Sequence, residues 1–68
     1  MTNEMLADIV SAIIEEAEEI KGKSNQDAQD YGQLLAYAET LSIIRDACDV
    51  ELLSEIGLDF DIDKRFLL

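Results

Sequence analysis

Residues 3–21 read NEMLADIVSAIIEEAEEIK. Leu6, Ile9, Val10, Ile13, Ile14, Ala17 and Ile20 recur at intervals of three and four, which gathers them on one stripe of a 3.6-residue helix. Glu4, Asp8, Glu15, Glu18 and Glu19 fall on the opposite side. Thr2 or Asn3 suits the capping position at the start, and Gly22 suits a left-handed position at the end. An amphipathic helix over 3–21 is therefore the element from which the rest is built.

Working toward the C-terminus, Gly22-Lys23-Ser24-Asn25 is a short polar link, which predicts an antiparallel helical hairpin. Ser24 and Asp27 resemble a capping box with Asp in place of Glu, so the second helix is expected over 25–48. Its main stripe is Tyr31, Leu34, Ala38, Leu41, Ile44 and Cys48, with Tyr37 at the edge. Leu35, Ala36, Ile43 and Ala47 lie off that stripe, so the helix is apolar over a wide arc and is expected to be contacted from two sides. The first helix supplies one contact, and the tail or a second copy supplies the other.

Asp49 suits the cap of a short helix over 50–56 closed by Gly57, although Leu52, Leu53 and Ile56 also continue the register of an unbroken helix from about Gln26. The broken form is favoured. Leu58-Asp59-Phe60-Asp61-Ile62-Asp63 then alternates strictly, as an extended segment does, with Leu58, Phe60 and Ile62 inward. The fold expected is all-α, in one domain over 1–68: an antiparallel hairpin, a short third helix and a tail over 57–68, assembled as a dimeric helical bundle.

Composition narrows the function. The 68 residues are 49% hydrophobic, too apolar for a disordered acidic tail. Sixteen Asp and Glu against five Lys and Arg give a net charge of -11, which disfavours direct binding to nucleic acid or to an anionic membrane. No run of apolar residues is long enough to span a membrane, and the acidic N-terminal stretch is unlike a secretion signal, so a cytoplasmic location is expected. With one cysteine and no histidine, neither an internal disulfide nor a Cys/His zinc set is available.

No catalytic constellation emerges. Glu15, Glu16, Glu18 and Glu19 lie mostly opposite the apolar stripe and so in water, whereas acid–base chemistry would require a pocket. Asp59-x-Asp61-x-Asp63 copies the first half of a calcium loop, but Lys64 stands where the turn needs glycine and no twelfth-position glutamate follows. Ser24, Ser42 and Ser54 have no histidine base, and Gly22-Lys23-Ser24 lacks the rest of a phosphate loop. Cys48 near a helix C-terminus reads as an inert packed thiol. No metal or cofactor is expected.

The residues left over point to contacts with protein. Arg45 falls within the apolar stripe of the second helix, where it pairs with Glu4, Asp8 or Asp49, or fixes register at a subunit interface. With Tyr31, Leu35, Ile43 and Ala47 it makes the expected interface. Residues 1–19 hold six acids and no base, and residues 46–63 hold seven acids and no base. A hairpin brings these blocks to one end, so Glu4, Asp8, Asp46, Asp49, Glu51 and Glu55 form the expected acidic partner surface. The functional expectation is a non-enzymatic interaction module, an adaptor or regulator that self-associates. The alternative is an acidic imitation of a nucleic-acid backbone that occupies the groove of a basic protein.

Overall fold

Four helices form where the chain can cap them. In the computed structural model, which describes residues 1–68, they are α1 (Asn3–Lys21), α2 (Ala28–Asp46), α3 (Val50–Ile56) and α4 (Ile62–Phe66), with no strand. The Thr2 hydroxyl accepts the Met5 amide at 3.0 Å and starts α1. At the other end Gly22 stays in the right-handed region (φ -78, ψ -7), so the expected left-handed stop is absent. The end is closed instead by the side chain of Gln26, whose amide donates to the carbonyls of Ile20 at 3.4 Å and Lys21 at 3.2 Å.

α2 starts at Ala28 and ends at Asp46 rather than covering 25–48, because the extended Asp27 caps it. The capping box is also displaced by three residues. Asp27, not Ser24, is the cap: its carboxylate accepts the Asp30 amide at 2.8 Å, and the Asp30 carboxylate accepts the Asp27 amide at 3.3 Å.

The break after α2 is real. Asp49 accepts the Leu52 amide at 2.8 Å and opens α3. Gly57 takes the left-handed conformation (φ 80, ψ 26), and the amides of Gly57 and Leu58 both turn back to the Leu53 carbonyl. The segment beyond it is not an extended tail. Asp61 accepts the Lys64 amide at 3.1 Å and starts the five-residue helix α4. A lone strand has no neighbour to satisfy its backbone, whereas α4 satisfies part of its own and presents Ile62 and Phe66 on one side. The inward placement expected of Leu58 and Ile62 does occur, and Phe60 is half-buried.

α1 and α2 pack as an antiparallel pair; α3 lies on α1, and α4 lies on α2 and α1. Asn3 donates to Glu55 at one end, while Arg65 meets Glu18 and Lys21 reaches the Leu68 carbonyl at the other. The third segment therefore runs back along the hairpin in the direction of α1, crossing from α1 toward α2. α2 is contacted by α1 and by α4, but both contacts fall on its main stripe; Leu35, Ala36, Ile43 and Ala47, which made its apolar arc wide, stay exposed. One core results: Val10, Ala17 and Ile20 from α1, Leu34, Ala38 and Leu41 from α2, then Ile56, Leu58, Ile62 and Phe66.

Five substitutions test this packing by denaturation. Phe66→Ala, emptying a site that is 1% exposed, should cost about 3 kcal/mol or more, and Leu41→Asp should abolish folding, whereas Glu15→Ala should leave the melting temperature within about 2 °C. A methyl group added at Gly57 or at Gly32 meets nothing within 4 Å, so only backbone conformation decides its effect. Gly57→Ala should destabilise by about 1 kcal/mol because φ is positive, and Gly32→Ala, inside α2, should stabilise by about 0.5–1 kcal/mol.

Candidate interaction surface

The five residues expected at an interface, Tyr31, Leu35, Ile43, Arg45 and Ala47, are all exposed on α2, Ile43 to 70% and Tyr31 to 54%. They do not form one patch. At about 100° per residue, Tyr31 and Leu35 flank the buried Leu34 and Ala38 in the first half of the helix, whereas Ile43 and Ala47 lie farther round in the second half. Arg45 pairs with neither Glu4, Asp8 nor Asp49; the two ion pairs of the molecule are Lys23–Asp30 and Arg65–Glu18. Its stripe is uncovered there because α3 turns onto α1 as it leaves α2, and the guanidinium stays in water.

Glu4, Asp8, Asp46, Asp49, Glu51 and Glu55 are likewise exposed. The 3.1 Å bond from Asn3 to Glu55 holds the start of α1 beside α3, which brings acids of both sequence blocks to one end of the molecule. Asp49 is committed to capping α3.

Third-segment contacts divide the surface of α1. Asn3, Glu18 and Lys21 mark the covered side, and Met5 and Ala12 lie roughly opposite, with Ile9 beside them nearer to α2. Ile9 had been expected in the core stripe; it is 41% exposed and Met5 is 55% exposed, because the helix turns its buried side toward both neighbours and leaves this flank free. On α2 the residues opposite the buried Leu34 and Ala38 are Ala36, Thr40, Ile43 and Ala47, all exposed and spaced by three and four. Antiparallel packing sets Met5–Ala12 alongside the second half of α2. Half-buried Ile13, Tyr37 and Ile44 lie between these stripes and the core. The two stripes thus border one open face of the hairpin, the face the third segment does not cover.

Two polar clusters hold the scaffold behind that face. Asp30, only 9% exposed, accepts Lys23 Nζ at 3.0 Å as well as the Asp27 amide. The Lys23 hydrogen bond, then the Asp27 amide, lower the Asp30 carboxyl pKa below its ordinary value, and the Asp30 hydrogen bond raises that of Lys23. Arg65 bridges α4 and α1: it meets Glu18, and its guanidinium carbon lies 4.5 Å from the Phe60 ring centre and 5.4 Å from that of Phe66, the two rings standing edge to face at 6.1 Å. In sequence the signal for it was Leu58, Ile62 and Phe66 at four-residue spacing with Arg65 among them.

No pocket opens in the surface, and no three Cys, Asp or Glu side chains are placed to hold a metal ion. Asp59, Asp61 and Asp63 point to solvent, with Asp61 used as the α4 cap, and Cys48 is half-buried against the core with a free thiol. No helix is long and apolar enough to cross a membrane. Comparison with protein families, with curated proteins and with solved structures returns no match.

The Asp30 cluster generates a pH test. A lowered carboxyl pKa contributes stability above the unfolded value and loses it as the pH falls through the folded one; the raised Lys23 contribution is present below 10.5 and lost above it. Asp30→Asn should therefore melt below the parent at neutral pH, and thermal scans should show that gap closing as the pH is taken below 3.8. Repulsion among the remaining acids is common to both proteins and cancels in the difference.

Proposed function

We propose that this chain is a small acidic protein-interaction module, an adaptor or regulator with no catalytic activity of its own. The observation that carries this reading is the group of large apolar side chains left in water on the open face of the hairpin, Met5 and Ile9 on α1 and Ile43 on α2; Tyr31 and Leu35 are exposed on a separate side of α2, and Met1, Val50 and Leu68 lie elsewhere. Single exposed apolar residues are ordinary, whereas neighbouring ones spaced along two adjacent helices mark a surface that another molecule covers. Another protein or a second copy fits that description, and the reading includes a cytoplasmic location, which the unpaired thiol of Cys48 suits.

A second reading draws on a different feature. The Asn3–Glu55 contact joins acids from α1 and α3 at one end, the form in which a protein imitates a nucleic-acid backbone toward a basic groove.

Capture from a lysate of the source cells at low and high salt, with bound proteins identified by mass spectrometry, separates the two. The interaction reading expects a protein that stays bound at high salt and is lost on Ile43→Asp or Tyr31→Asp. A nucleic-acid-binding protein released by salt and indifferent to both substitutions supports the second reading. Retention of nothing at either salt, with no self-association in sedimentation, overturns the first.

A further inference from the structure

We infer that the open face of the α1–α2 hairpin receives a basic amphipathic helix of a partner protein; this rests on the interaction-module reading above. The face offers an apolar strip made of Met5, Ile9 and Ala12 on one helix and Ala36, Ile43 and Ala47 on the other, interrupted on α2 by Thr40, whose hydroxyl donates to the Ala36 carbonyl at 2.8 Å. Alanine at three of the six positions lets a third helix approach closely, as ridges-into-grooves packing requires. From Ala36 to Ala47 the strip runs about 17 Å, the length of a helix of three turns. A strand laid there would leave its backbone groups unpaired, whereas a helix brings its own hydrogen bonds and needs only one apolar side.

Charge selects the kind of helix. Asp8 flanks the strip on α1, with Glu15, Glu16 and Glu19 continuing beyond its Ala12 end, and Glu39 and Asp46 line its outer edge on α2, all exposed. None of the five cations faces it. Lys21 and Arg65 are turned to the third segment, Lys64 lies on α4, and Lys23 is held by Asp30. Arg45, two residues from both Ile43 and Ala47, is about half a turn away. An apolar strip rimmed only by carboxylates matches an apolar stripe flanked by Lys and Arg. A second copy is disfavoured, since it would set the same six acids against themselves with no cation between them.

The test uses the full chain and two synthetic peptides of about 14 residues. One carries Leu at three- and four-residue spacing and Lys elsewhere; the other has the same composition with the Leu residues dispersed. The first peptide should bind at least about tenfold more tightly, with amide shifts concentrated in 5–12 and 36–47. Ile43→Asp should weaken it by about tenfold or more and Tyr31→Asp should leave it unchanged, both variants keeping the parent circular dichroism. Ala36→Glu serves as a second probe of the strip and should weaken binding in the same way. Equal binding of the two peptides shows attraction by charge alone and overturns the inference. So does a dimer in sedimentation that Ile43→Asp dissolves. If the peptide fails but a lysate partner is still retained and is lost on Tyr31→Asp, the inference falls alone; if no partner is retained either, the interaction reading falls with it.

Discussion

Two helices packed side by side cannot enclose a core, and in this chain the third wall has to come from its last dozen residues. Leu58, Ile62 and Phe66 are each at most 1% exposed, and without them the inward sides of Leu34, Leu41 and Val10 would face water. Burying an aliphatic or aromatic side chain of this size yields about 1.5–3 kcal/mol, which matters in a domain whose whole stability is a few kcal/mol. No disulfide is available to share that task. Local features of the C-terminal segment serve this closure: Gly57 reverses the chain out of α3, Asp61 starts α4, and Arg65 ties α4 to Glu18 while covering both phenylalanine rings.

The same closure determines what remains outside. Because the third segment lies along one side of the hairpin, it draws Lys21 and Arg65 to that side and leaves the other side with carboxylates and uncovered apolar groups. At the far end of α2 the chain turns α3 onto α1, so Arg45 is left without a partner and Asn3 gains one in Glu55. The polarity of the surface is therefore a by-product of how the core is completed, and any surface-borne function inherits it.

α1 was legible from sequence because its period, its polar side and its cap at Thr2 all agree. The start of α2 was misread because two boxes compete: Ser24 with Asp27, and Asp27 with Asp30. The second forms, and the contact from Gln26 back to the end of α1 that accompanies it is invisible to local pattern. The tail was misread for a different reason. Leu58, Phe60 and Ile62 alternate, but Leu58, Ile62 and Phe66 are also four apart, and which spacing governs depends on the surface they meet. Ile43 and Ala47 could be singled out as apolar residues off the main stripe, whereas Met5 and Ile9 could not be recognised as exposed. A helical wheel gives the apolar stripe of α1 but not which flank a later segment will cover.

The left-handed turn at Gly57 divides the third wall into two separate helices, and this bears on how the molecule opens. α3 is held by α1, and α4 by α2 and α1, so the two are anchored to different surfaces. A five-residue helix has no stability of its own and exists only while docked. Detachment of α4 can therefore occur with α1, α2 and α3 still in place, as a sub-global opening distinct from complete unfolding. In that open form the part of the α2 core that α4 covers meets solvent, so the propensity to aggregate is governed by the docking of the final helix rather than by the strength of the long hairpin.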